Sequence, residues 1–170
     1  DEAFRSRITR GARYLEERLS HGDTVYGVNT GYGESCLIDV PSQLVAELPS
    51  HLIRYHGCGL GKDLSPSATR AVLVCRLNSL AQGYSGVRLE LLEGIEALLD
   101  YDILPCIPEE GSVGASGDLT PLSYIAAVLI GERTVWCKGK VQAASTALAE
   151  AGLPLLELAP KEALGIMNGT

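Results

Sequence analysis

The chain has 170 residues, 46% of them hydrophobic, and its 21 acidic against 14 basic residues set a formal net charge of -7. That is enough apolar material for one domain with a packed core, which excludes a disordered chain. The acidic balance, with no basic stripe interleaved with aromatics, argues against nucleic acid and anionic membrane as partners.

Residues 2 to 20 place Phe4, Ile8, Leu15 and Leu19 at helical spacing among charges, an amphipathic helix expected to end near Gly22. Gly27, Gly31 and Gly33 break that period in "TVYGVNTGYGES", which reads as a loop from 24 to 35. A helical segment over 42 to 56 is interrupted by Pro49. Ser65 and Pro66 read as N-cap and first residue of a helix through Val72, Cys75 and Leu80 that stops near Gly83. The next helix, about 87 to 100, should turn Leu92, Ile95 and Leu99 inward, with Pro105 and Pro108 beyond its end. Thr120 and Pro121 then look like the cap and first residue of a short apolar helix ending near Gly131. "TVWCKGKVQ", 134 to 142, alternates as a small hairpin turning at Lys138 and Gly139, and 144 to 151 returns to helix. The expected architecture is one mainly α unit with a minor β element.

No apolar run is long enough to span a bilayer, and the N-terminus lacks the order of a signal peptide. The five cysteines, Cys36, Cys58, Cys75, Cys106 and Cys137, are odd in number and form no C-x-x-C pair, so they read as reduced thiols of a cytoplasmic protein, each a small buried hydrophobe. "GCGLGKD", 57 to 63, invites a phosphate-loop reading, but His56 and Asp63 stand where that loop needs Gly and Ser or Thr, and Lys62 stands where a dinucleotide loop needs Gly. A turn between two helices is the expectation there. His21, His51 and His56 have no partners at metal-binding spacing, so no metal site is expected. "GASGD" lacks the spacing of a serine-hydrolase elbow.

"GSVGASGDLTPLS", 111 to 123, remains. Three glycines make it a permissive turn, yet the order Ala115, Ser116, Gly117 also permits a reaction. A glycine nitrogen, having no Cβ beside it, can be pressed against the carbonyl carbon two residues earlier. Attack of the Gly117 nitrogen on the Ala115 carbonyl, with loss of one water, closes a five-membered ring. Loss of the Ser116 hydroxyl as a second water leaves an exocyclic methylidene, an electrophile.

"YGVNTGYG" and "VGASGDL", in this order, closely resemble the aromatic amino acid ammonia-lyase and aminomutase family, and the resemblance continues through "CGLG", "RLNSLAQGYSGVR", "LPCIPEEGSVGASGDLTPLS" and "LELAPKEALGIMNGT" over essentially the whole chain. It implies the N-terminal part of the histidine ammonia-lyase-like helical fold, with glycine-rich active-site loops. It also implies a 4-methylidene-imidazol-5-one formed from Ala115, Ser116 and Gly117, with no external cofactor. Tyr26 matches the tyrosine that removes the β-proton of the amino acid; a phenol titrates near ~10 in water, so that role needs an environment that lowers its pKa. Asn168 matches the asparagine that hydrogen-bonds near the prosthetic group, and Gly33 and Leu119 match pocket positions, Leu119 also suiting a plain core role.

At the specificity position, histidine ammonia-lyases usually carry Ser-His, tyrosine-specific relatives His-Leu and phenylalanine-specific ones Phe-Leu; this chain has Tyr55 and His56. His56 leans toward an imidazole substrate, and Tyr55 narrows the pocket and keeps tyrosine open. His51 reads as a plain surface histidine. The resemblance implies a homotetramer acting on a small aromatic amino acid, each site assembled from three subunits. Family members are several times longer than a typical domain, and their central helical bundle, with a second tyrosine and a carboxylate-binding arginine, has no counterpart in residues 1–170. The leading expectation is a lyase converting L-histidine to urocanate. The alternatives are a 2,3-aminomutase for tyrosine or phenylalanine, or a truncated, non-catalytic helical module. This stretch by itself is expected to be inactive.

Overall fold

The structure is a computed structural model and describes residues 1–114 and 117–168. Helix α1 (Glu2–Ser20) is capped by Asp1, whose side chain accepts from the Ala3 amide at 2.8 Å. Only Ile8 and Ala12 of α1 are buried, so a narrow stripe docks while its charged residues stay in solvent. The 42–56 segment is two helices, α2 (Ser42–Val45) and α3 (Leu48–His56). Pro49 lies in the first turn of α3, where a missing N–H removes no intrahelical bond.

Next come strand β1 (Leu60–Asp63), helix α4 (Pro66–Leu80) and helix α5 (Leu89–Asp100). Helix α4 starts as its sequence dictates, with the Ser65 hydroxyl accepting from the Ala68 amide at 3.3 Å. Helix α5 buries Leu91, Leu92, Ile95 and Leu98, and Leu99 packs half-buried at the margin. Strands β2 (Leu104–Pro105) and β3 (Pro108–Glu110) follow, then helix α6 (Leu119–Leu129), strands β4 (Thr134–Cys137) and β5 (Lys140–Ala143), and helices α7 (Ala144–Glu150) and α8 (Glu162–Met167).

Three expectations are corrected. "GCGLGKD" is not a simple turn: β1 pairs antiparallel with β3, Leu60 opposite Glu110 and Asp63 opposite Pro108. The glycines serve that close approach, since a Cβ on Gly59 would stand 3.0 Å from the Pro108 Cβ. Pairing partners 45 residues or more apart leave no local period to read. Thr120 is not the cap of α6, which begins at Leu119 after Asp118; Thr120 and Pro121 fall in its first turn, where a proline is equally at home. The cysteines are all free, but only Cys137 is buried, while Cys58 and Cys75 are exposed.

The hairpin stands as read, with Lys138 and Gly139 both at positive φ, the backbone a two-residue turn requires. It gains a third strand because β2 pairs with β4. Helix α6 carries no charge and buries every residue from Leu122 to Leu129, packing against α3, α5, α7 and α8. A helix apolar on all sides belongs at the centre of a core, and each large side chain sealed there contributes about 1.5–3 kcal/mol. Among the described residues no helix is long and apolar enough to cross a membrane.

Candidate active site

The loop carrying Tyr26 is tied to itself. Asn29 Oδ1 accepts from the Val25 amide at 2.7 Å and Asn29 Nδ2 donates to the Asp23 carbonyl at 2.8 Å. Thr30 Oγ1 accepts from the Gly27 amide at 3.1 Å, and a bridge between Thr30 and Asp39 closes the base. Gly27 has a φ of 67°, and a Cβ there would come within 2.9 Å of the Tyr32 ring, so the loop folds against Tyr32 and α8 only as glycine. The Tyr26 hydroxyl oxygen accepts from the Gly33 amide at 3.0 Å. Burial first, and the neighbouring Tyr26 second, push the Tyr32 phenol above its ordinary range.

Helix α3 supplies the facing wall. Leu48, His51, Leu52, Tyr55 and His56 recur at i, i+3, i+4, i+7 and i+8, one face of a helix. His56 Nδ1 lies 2.9 Å from the Leu52 carbonyl. A carbonyl only accepts, so Nδ1 carries the proton and Nε2 of the neutral ring is left as an acceptor. The Tyr55 ring meets the His56 ring edge-on, centroids 5.1 Å apart, and Tyr55 is otherwise exposed.

Helices α6 and α8 form the floor with Leu119, Leu164 and Asn168. Asn168 ends α8, and its Oδ1 is buried with no hydrogen-bond partner among the described residues; the same holds for Asp118 Oδ1, one residue beyond Gly117.

Together these walls enclose an open cleft of about 690 Å³ that gathers Tyr26, Gly33, Tyr55, His56, Leu119 and Asn168. Leu119 is half-buried against the core and lines the cleft. Gly117 holds a φ of 85° and does not line the cleft, and Ala115 and Ser116 lie outside the described residues. Sequence reasoning missed Tyr32 and His51, which line the same cleft. For His51 the α3 spacing was the available signal. Among the described residues no cluster of three or more His, Cys, Asp or Glu could hold a metal ion.

A mainly apolar cleft lined by a phenol, an imidazole and a carboxamide, set on a helical scaffold, has the make-up of small-molecule sites in general. The chain belongs to the aromatic amino acid lyase family, whose model matches residues 1–170. It is 44% identical to a histidine ammonia-lyase of Shouchella clausii over 163 residues, 96% of this chain and 33% of that one. Among solved structures it is similar to ergothionase from Treponema denticola, with TM-score 0.94 and 31% identity over 99% of this chain and 34% of the other. It is also similar to the phenylalanine aminomutase of Pantoea agglomerans, with TM-score 0.93 and 32% identity over 98% of this chain and 32% of that one. The chain thus spans about a third of the length of the curated relatives it matches.

Proposed function

We propose that these residues are the N-terminal, electrophile-bearing portion of a carbon-nitrogen lyase that eliminates ammonia from an aromatic L-amino acid, L-histidine first, to give urocanate. The observation that carries this reading is the meeting of Tyr26, His56 and Asn168 in one cleft with Leu119, two residues past Gly117. The 4-methylidene-imidazol-5-one of Ala115, Ser116 and Gly117 would supply an electrophilic carbon that captures the substrate amine and turns it into a leaving group. The residues fit such a group: Asp118 Oδ1, one residue after Gly117 in the chain, and Asn168 Oδ1, in the cleft that Leu119 lines, are both buried without a partner among the described residues and are the groups that would hold it.

The rest of the chemistry falls to side chains. Tyr26, its oxygen held by the Gly33 amide, takes the β-proton. His56 Nε2 accepts from the ring N–H of an imidazole, a bond that leucine at this position could not offer. Leu52, Leu119 and Leu164 cover the ring faces and exclude water. The remaining two thirds of the protein would complete the site within a homotetramer in the cytoplasm.

A second reading, a 2,3-aminomutase, is favoured by the structural likeness to an aminomutase. Incubating the whole protein with L-histidine, L-tyrosine and L-phenylalanine and identifying products by mass spectrometry separates the two. Urocanate alone supports the histidine lyase. A β-amino acid would sink it in favour of the mutase, and no turnover of any of the three would sink both.

A further inference from the structure

Arg76 lies on the face of α4 that also carries Thr69, Leu73 and Leu80, all buried, and is itself only 5% exposed. A cation in that position is costly unless something specific holds it, and among the described residues no carboxylate pairs with it. Nη2 donates to two backbone carbonyls, Gly165 O and, at 3.1 Å, Asn168 O, while Nη1 reaches only Ser79 Oγ on its own helix at 3.5 Å and Nε has no partner among the described residues. Both acceptors belong to the last turn of α8, whose carbonyls have no partner within the helix. Burial lowers the guanidinium's pKa from its usual value, but an arginine so far above neutrality keeps its charge.

Helix α8 has only six residues, too short to hold its own shape, so its position is decided by what grips it. At its N-terminal end, buried Glu162 accepts from Arg88 Nε at 3.0 Å, Arg88 Nη2 at 2.8 Å and the Ala159 amide at 2.7 Å. In the middle, Gly165 packs so closely that a Cβ would stand 2.7 Å from Val87 Cγ1. The C-terminal end is gripped by Arg76, where the backbone turns out of the helix at Asn168, φ -82° and ψ 101°.

We infer that Arg76 is a positioning residue: by clamping the carbonyls of Gly165 and Asn168 it sets where the Asn168 carboxamide, buried and unpartnered among the described residues, stands on the cleft floor. The inference rests on the reading that Asn168 serves the active site. A purely structural residue here could be a leucine or methionine, which would fill the space without burying a charge.

The test uses the whole protein with Arg76→Gln and Arg76→Lys, each alone and in an Asn168→Ala background. The readouts are kcat, KM and the fraction of chains whose denatured intact mass is short by two waters. Misplacing a reacting group's partner by about 1 Å costs up to roughly 100-fold in rate, so kcat is expected to fall about 10- to 100-fold in R76Q with KM little changed. R76K, which keeps the charge but on a shorter side chain without the planar guanidinium, is expected to recover part of it. In the Asn168→Ala background R76Q should cost nothing more, because the route through Asn168 is already gone. The share of chains lacking two waters should fall in R76Q as well. Wild-type kcat and wild-type mass loss in R76Q would overturn the inference, as would losses that multiply with Asn168→Ala. If R76Q does not fold, R76K decides on the same readouts. A wild-type protein with neither turnover nor mass loss overturns the functional reading and this inference with it, whereas an active wild type matched by its variants overturns only the role of Arg76.

Discussion

Helix α6 and the loop from Tyr26 to Gly33 face the same cleft, yet they are built on opposite principles. The helix is sealed on all sides, with Ile125, Ala126 and Val128 at 0% exposure. The loop leaves Tyr26 at 51% exposure and is held by hydrogen bonds among its own side chains and amides. The comparison teaches that burial and the proposed chemistry are separated here. The core helix fixes where Leu119 and the neighbouring α8 stand, while the loop anchors itself through buried Val28 and Thr30 and leaves Tyr26, the residue proposed to take the β-proton, open to the cleft.

The largest effect should come from the loop. Tyr26→Phe in the whole protein is expected to lower kcat about 10²- to 10⁴-fold, the range for a lost general base. Its melting temperature should stay within a few degrees of wild type, since one half-exposed hydroxyl with one hydrogen bond is removed. A large drop in melting temperature would break the separation.

The converse substitution lies in the helix. Ile125→Ala should cost about 2–5 kcal/mol, measured by urea unfolding, through lost burial and the cavity left behind. The folded fraction should keep its wild-type kcat. His56→Leu falls between these, because it leaves α3 packed by Leu52 and Ile53 but removes a polar partner. Turnover of L-histidine relative to L-phenylalanine, measured as kcat/KM, should fall about 10- to 100-fold. An unchanged ratio would take His56 out of substrate choice.

The smallest effect concerns alkaline pH. Burial raises the Tyr32 phenol above the value it has in the unfolded chain. The unfolded state therefore loses its proton first, and the stability Tyr32 contributes is intact below about pH 10 and declines as pH rises from there through the higher folded value. Unfolding curves between about pH 8 and 12 should be less steep in pH for Tyr32→Phe than for wild type. Identical slopes would show that the ring is not withdrawn from water as the structure has it.

Much of the fold was legible because local rules decided it. The Ser65-Pro66 start of α4, the turn at Lys138 and Gly139, and the start of α3 just ahead of Pro49 each follow from a side chain's own geometry, although the expected interruption at Pro49 itself falls earlier, between Val45 and Leu48. The candidate site was approached differently: motif resemblance picked out Tyr26, Gly33, Tyr55, His56, Leu119 and Asn168, and the fold gathers these six around one cleft. The pairing of β1 with β3, the third strand of the small sheet and the short helix α8 were not legible. Two of these depend on partners distant in the chain, and the third on grips at both ends by Arg88 and Arg76.

Arg76 shows the boundary most clearly. The helical period by itself puts Arg76 on one stripe with Thr69, Leu73 and Leu80 but does not decide which stripe turns inward: the sequence reading runs the helix through Val72, Cys75 and Leu80, and Cys75 is exposed. What that charge would hold was decided only in three dimensions. The carbonyls it meets lie 89 and 92 residues away, and an arginine's donors carry no local preference for one distant carbonyl over another until packing brings the two together.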